Sequence, residues 1–272
     1  MSLKILHIWN IGGTSLIART MNRLFPESYS TVVMRKVWDI WNLTTYGELW
    51  DVGPKMFVAK ALLYSRKFDI IHVHALDKIV PWIKLIYPRK PVVLQYHGLD
   101  IRGEWNDPNK VKLWSKADVL LVWTSDLLEG APANVKCLTN PVDTELFFPN
   151  IKPASKGKAF HFSYYADEEA KALANKMKLY LDIHDRLNNP IPNNNMPNVY
   201  SQYEYYIDVK RKSPETPVIR HISRSALEAL ACGLKVITAE GKVIEAFPEE
   251  HNPENVAREL WKVYSGLHER SL

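Results

Sequence analysis

The sequence predicts an α/β protein with a mainly parallel sheet, and three observations carry that reading. Apolar strand-like runs alternate with amphipathic helical stretches, the pattern of repeated βα units. Runs such as Val119-Leu120-Leu121-Val122 are apolar on both faces, as a strand covered on both sides requires. The stretch 225–237 shows the junction type most plainly: a short helix carrying Glu228 stops at Gly233 and feeds an apolar strand, Leu234 to Thr238. Glycine ends a helix well because it accepts the left-handed conformation without a Cβ clash. In open α/β sheets nucleotides bind near the carboxyl ends of parallel strands.

Taken in order, the first half gives strands at 3–9, 30–34, 69–73, 91–96, 118–123 and 135–138, with helices at 14–24, 54–66, 77–86, 108–116 and 125–129. The segment Pro149 to Lys158, rich in Pro, Lys and Ser, interrupts the pattern and marks a boundary between domains 1–150 and 151–272. The second half restarts with a strand at 159–164, a helix at 166–177 and a strand at 178–183. Asn188 to Asn198, with six Asn and three Pro, reads as loop. Strand 204–209, helix 223–232, strand 234–238 and a closing helix at 253–267 complete the chain.

Composition bounds the function classes. At 272 residues, with 46% hydrophobic and 24% charged, the chain suits one large or two small globular domains. No apolar run reaches the ~18 residues needed to span a bilayer, and the N-terminus runs straight into a strand-like segment, with no signal peptide visible. Cys137 and Cys232 read as reduced core residues, so the expected compartment is the cytoplasm. The net charge of +5 and a pI near 9.0 favour anionic partners: nucleotide diphosphates, anionic lipid or nucleic acid. Only Lys210-Arg211-Lys212 forms a basic run, and without a basic stripe or a recognisable module nucleic acid is not expected. A peripheral membrane contact stays open, although no amphipathic basic helix stands out.

Several constellations can carry chemistry. Gly12-Gly13 sits between the first strand and the first helix, where backbone can approach an anion; it reads equally as a tight turn. His97, directly after an apolar strand and beside Gly98 and Asp100, is placed for polar contact with a substrate, or for a bond to a nearby carbonyl. His72 and His74 share a strand face but lack a third metal ligand nearby in sequence, so the structural reading wins and no metal is expected. His184 with Asp182 and Asp185 is ambiguous in the same way. Ser225-x-x-Glu228 reads as a capping box, and Arg224 with Glu228 as a surface pair of ~0.3 kcal/mol. Lys210, Arg211, Arg220 and Arg224 fall around one strand-to-helix loop, either as a diphosphate site or as a solvated basic loop. Among the tryptophans, Trp38, Trp41, Trp50 and Trp105 fall in expected loops, where they offer stacking surfaces for sugars.

In order and spacing, these features resemble a known family. The residues that carry the likeness are Lys4-Ile5-Leu6-His7-Ile8 with Gly12-Gly13, Phe68-Asp69-Ile70-Ile71-His72-Val73-His74, Tyr96-His97-Gly98-Leu99-Asp100, Lys116 to Val122, Asn140 to Phe147, and Leu227-Glu228-Ala229-Leu230-Ala231-Cys232-Gly233. They are similar to GT-B glycosyltransferases of the family 4 type. The resemblance implies two Rossmann-like domains facing a cleft, with a nucleotide-sugar bound mainly by the C-terminal one and the final helix packing back towards the N-terminal one. It implies that Glu228 bonds the donor ribose, that His97 sits near the transferred sugar, and that Gly12 and Gly13 line the cleft. Asp100 falls on the acceptor side. The implied activity is metal-independent, retaining hexosyl transfer from a nucleoside-diphosphate sugar to a hydroxyl of a glycan, lipid or small-molecule acceptor, with no cofactor. A degenerate GT-B protein that binds nucleotide or glycan without turnover, or acts as a partner subunit, is the alternative; sugar-nucleotide epimerisation is a third reading.

The departures are specific. The family's second Glu, eight residues before the ribose-binding one, is Arg220 here; the Gly three residues later is Ser223; and Pro141 stands where Gly is usual. The family's diphosphate Arg and Lys have no match in Tyr164 to Lys178, which makes Lys210, Arg220 and Arg224 the candidate substitutes. The C-terminal domain is shorter than the family's by about one strand–helix unit.

Overall fold

The structure is a computed structural model, and it describes residues 2–11, 13–149, 155–186 and 188–271. The chain forms two compact units: Met1–Asp39 with Leu43–Pro141 and Glu250–Leu272, and Ile40–Asn42 with Val142–Glu249.

The first unit runs β1 (Lys4–Ile8), α1 (Thr14–Leu24), β2 (Tyr29–Arg35), β3 (Glu48–Trp50), α2 (Pro54–Ser65), β4 (Ile70–His74), α3 (Val80–Ile86), β5 (Val92–Tyr96), α4 (Pro108–Trp114), β6 (Val119–Val122) and β7 (Lys136–Cys137). Its sheet has the order β3-β2-β1-β4-β5-β6-β7, with every pairing parallel. The order reverses between β1 and β4, the crevice position of doubly wound folds. Strands β4 and β5 are buried at every residue, which is why they read as apolar runs. On one face Phe57 and Ala61 of α2 join Val80 and Ile83 of α3 in a core with Leu6, Ile71 and Leu94.

The second unit runs β8 (Ser155–Ser163), α5 (Asp167–Lys176), β9 (Tyr180–Asp185), α6 (Met196–Tyr200), β10 (Tyr203–Asp208), α7 (Arg224–Ala231), β11 (Lys235–Thr238) and β12 (Val243–Ile244). The sheet order is β12-β11-β10-β8-β9, parallel except for β12. Here the order reverses between β8 and β10. The last helix, α8 (Pro253–Ser271), belongs to the first unit, where Val256, Ala257, Leu260, Tyr264 and Leu267 pack with Leu3, Ile5, Ile17 and Met21. Their three- and four-residue spacing is one apolar helix stripe.

Three local expectations need correction, and two edge strands were not foreseen. The helix expected at 125–129 is a 3-10 turn, Ser125–Leu128. Asn188–Asn198 is not all loop: Met196–Tyr200 is a short helix, started by Pro197 in its first turn, where the missing N–H costs nothing. The edge strands β3 and β12 have three and two residues, too short to show a period. Cys137 is exposed, unlike the buried Cys232; both are free thiols. Among the described residues no helix is long and apolar enough to cross a membrane.

Candidate functional site

In the second unit a cavity of about 230 Å³ opens at the carboxyl ends of β8, β9 and β10, where the strand order reverses. Phe162 and Tyr164 supply the β8 wall, and Arg186 closes the β9 side. Tyr206, Asp208 and Lys210 come from the end of β10, and Ser223 and Ser225 from the start of α7. Trp41 completes the lining; its carbonyl accepts from the Asn193 N–H at 3.0 Å. The Arg186 guanidinium lies over the Trp41 ring, 5.0 Å from its centroid, and 5.8 Å from that of Phe162. The pocket therefore joins flat aromatic surface, two cations and one carboxylate at the fold's ligand-binding position.

Asp208 organises this mouth. Its Oδ2 accepts from the Ser223 N–H at 2.7 Å, and the Ser223 hydroxyl in turn accepts from the Ala226 N–H at 3.1 Å, capping α7. The cap is thus Ser223, not the Ser225 box read from sequence. At the other end Gly233 has φ +86°, and the Gly233 and Leu234 N–H groups donate to the Leu230 and Ala229 carbonyls, a Schellman stop.

Of the residues proposed for donor binding, the structure brings Lys210 into the cavity, its Nζ also donating to the His221 carbonyl at 3.1 Å. Arg220, Arg224 and Glu228 do not line it. Glu228 is 5% exposed, and its Oε1 lies 2.8 Å from Arg224 Nε. This is a buried ion pair, not the surface pair expected; burial raises the Glu228 carboxyl pKa while Arg224 opposes the rise. The Arg220 side chain is 84% exposed and lies 3.7 Å from Glu240. Arg211 is held by Glu169 at the start of α5. The four cations do not converge, because three of them are matched by separate carboxylates. His184 donates to the Asn189 carbonyl at 2.6 Å. Trp41 was read from the sequence as a loop stacking surface, whereas Arg186 and Asp208 escaped the sequence reading. Only a placed strand order shows that the ends of β9 and β10 share a crevice.

In the first unit the β1–β4 crevice holds a buried histidine chain. Strand register sets His7 of β1 beside His72 of β4. His7 Nδ1 lies 3.0 Å from His74 Nε2, His74 Nδ1 lies 3.1 Å from His97 Nε2, and His7 Nε2 reaches Ser30 Oγ at 3.0 Å. His72 Nδ1 meets the Tyr264 hydroxyl at 2.6 Å. The missing third histidine is therefore His7, close in space but 65 positions away from His72 in sequence. The ring nitrogens of His7, His72 and His74 lie within 4.8 Å of one another, a donor set of the metal-binding kind. The His7 and His74 centroids are 5.3 Å apart at 20° between planes, so the 3.0 Å contact joins the rings end to end. That geometry suits an N–H···N bond, which would have to open for both nitrogens to face one ion.

Burial drives these rings towards neutrality. The His7 and His97 pKa values fall to about 3, and those of His72 and His74 fall well below the ordinary value, burial being the largest cause in each. His97 packs its ring 3.9 Å from that of Trp123. Among the described residues its Nδ1 has no hydrogen-bond partner. Asp100 serves the backbone: its carboxylate accepts from the His97 N–H at 3.0 Å and the Gly98 N–H at 2.7 Å. Gly13 abuts Pro141, whose Cγ would lie 2.3 Å from an added Cβ. Gly12 lies outside the described residues. Trp9 and Ala75, just past β1 and β4, take left-handed φ values of 79° and 57°. Backbone strain of this kind gathers at functional sites. Of the expected loop tryptophans, Trp50 and Trp105 are core, and Trp38 is exposed.

No protein-family model matches this sequence, and no curated protein matches it. Solved structures do. A sucrose-phosphate synthase from Thermosynechococcus elongatus is similar with a TM-score of 0.67 at 13% identity, over 97% of this chain and 99% of that one. An α-glucosyltransferase in complex with UDP and a 13-mer DNA gives 0.59 at 11% identity, over 99% and 90%. The UDP-GlcNAc 2-epimerase from Methanocaldococcus jannaschii gives 0.54 at 12%, over 96% and 100%. Transferase and epimerase share this architecture, so fold alone does not choose between their chemistries. With its two parallel-sheet units, the second reduced to five strands, the chain has the GT-B fold.

Proposed function

We propose that this protein is a glycosyltransferase that takes a hexose from a nucleoside-diphosphate sugar and passes it to a hydroxyl acceptor. The carrying observation is the second unit's cavity, with its aromatic walls, cations and carboxylate at the strand-order reversal. In this reading the base stacks among Trp41, Phe162 and Tyr164, and Asp208 accepts from a ribose hydroxyl. Lys210, Arg186 and the start of α7 meet the diphosphate. Those cations stabilise the leaving diphosphate, so the reaction needs no metal; retention of the anomeric configuration rests on the resemblance to family 4 alone. Glu228 then acts as a positioning residue, holding Arg224 on α7. His97 is the group for the transferred sugar, because its Nδ1 is unbonded among the described residues and the histidine chain fixes its ring. Gly12 and Gly13 keep the anion-approach role of the first strand-to-helix turn. With two free thiols, we place the protein in the cytoplasm.

The UDP and UDP-glucose complexes of the similar α-glucosyltransferase support a uridine donor, and its DNA complexes widen the acceptor question to nucleic acid. The alternative is a binder without turnover, favoured by Arg220 in the family's Glu position and by Glu228 being held by Arg224. A panel of UDP-, GDP- and ADP-sugars, followed by mass spectrometry for slow donor hydrolysis, separates the two. Hydrolysis of one donor supports the transferase; thermal stabilisation by a nucleotide with no hydrolysis at any pH supports the binder.

A further inference from the structure

A second surface, in the first unit, is independent of the donor reading. Helices α2 and α3 cover one face of the sheet, and both are apolar on the outside as well as the inside. Phe57 and Ala61, and Val80 and Ile83, fill the core. On the opposite side Met56 and Leu63, seven residues apart, are 60% and 76% exposed. Trp82, Leu85 and Ile86, three and four residues apart, are 55%, 72% and 49% exposed. The two helices are neighbours: Tyr87 OH donates to the Leu62 carbonyl at 3.1 Å, and Lys90 Nζ to the Ser65 carbonyl at 2.7 Å.

The charge carried by the two helices has one sign, although Glu48 accepts from the Tyr64 hydroxyl of α2. Residues 52–67 and 78–92 contain no Asp or Glu, yet they carry Lys55, Lys60, Arg66, Lys67, Lys78, Lys84, Arg89 and Lys90. Lys84 is matched by Asp118, while Lys55, Arg66 and Arg89 are exposed and within ion-pair distance of no carboxylate among the described residues. A protein partner matched to this face would need its own acidic rim around an apolar centre. An anionic bilayer offers both at once, acyl chains for the ridge and headgroups for the cations. We propose that α2 and α3 form a docking face for anionic membranes, inserting Met56, Leu63, Trp82, Leu85 and Ile86 into the interface. The sequence hid it because an amphipathic reading looks for a continuous polar face, and here the outer cations alternate with exposed apolar residues.

The test is co-sedimentation of the full chain with vesicles of phosphatidylcholine alone or mixed with phosphatidylglycerol. Binding is expected only to the mixed vesicles and falls as salt rises. Lys55→Gln with Arg89→Gln should weaken it about 25-fold, about fivefold per cation. Leu63→Ser with Leu85→Ser should weaken it at least about tenfold. Neither pair touches a core position, and circular dichroism checks that each variant folds. Equal binding to both vesicle types, absence of binding, or unchanged binding by both variants overturns the proposal. So does a dimer of the wild type that the leucine pair converts to monomer, which would assign the face to a second copy of this chain.

Discussion

Lowering the pH towards about 5 should unfold the first unit through four imidazoles. His7, His72 and His74 are buried and His97 is half-buried, and desolvation holds every one of their folded-state pKa values below the ordinary histidine range. In the unfolded chain each titrates near about 6.5, so the unfolded state takes up protons first as pH falls. Stability is fully present above that value and is lost as pH falls towards the folded-state values, about 3 for His7 and His97. One such group loses about 1.4 kcal/mol per pH unit, or about 2 kcal/mol at about pH 5. Four together reach about 8 kcal/mol, comparable with the whole stability of a domain at about 5–15 kcal/mol. In the same unit Asp100, with a carboxyl pKa raised by burial, acts in the opposite sense, but it is one against four. Urea melts followed by circular dichroism from about pH 7.5 to pH 5 measure the slope. The midpoint should drop steeply below about pH 6.5, and His74→Phe should flatten the drop. A midpoint unchanged down to about pH 5 would refute the reasoning, as would NMR of the folded protein showing these imidazoles titrating near their ordinary value.

Other outcomes follow from particular contacts. Lys210→Ala and Arg186→Ala should each weaken nucleotide binding about 10- to 100-fold by calorimetry, the loss of a charge-assisted contact, while Arg220→Ala changes it less than about threefold. His97→Ala should lower donor turnover about 100-fold and leave nucleotide affinity intact, measured by rate and calorimetry on the same preparation. Gly13→Ala forces a methyl against Pro141 and should cost about 1–3 kcal/mol; the double variant with Pro141→Ala should recover most of it in thermal melts. Ser223→Ala removes the α7 cap and should cost about 1 kcal/mol, read the same way.

The elements with a clear period were legible in the sequence. The apolar runs of β4 to β6, the Gly233 stop and the stripe of α8 each follow from local physics, and the structure has them. Gly13 was legible as special, but not the reason, since Pro141 lies far along the chain. His72 and His74 were visible as a same-face pair; His7 was not counted with them, because pairing between β1 and β4 is a tertiary fact. The basic residues at 210–224 suggested a cluster because sequence spacing shows cations without their partners. Glu169, Glu240 and Glu228 redistribute three of them. Arg186 and Asp208 could be placed only once the strand order of the second sheet was known.

A crystal of the full chain soaked with a UDP-sugar tests the central claim most directly. The account predicts nucleotide density in the second unit's cavity, with the base against Trp41 or Phe162, a ribose hydroxyl on Asp208 and the diphosphate within hydrogen-bonding distance of Lys210 or Arg186. Density elsewhere on the chain, or a cavity left empty by UDP-, GDP- and ADP-sugars alike, would contradict it.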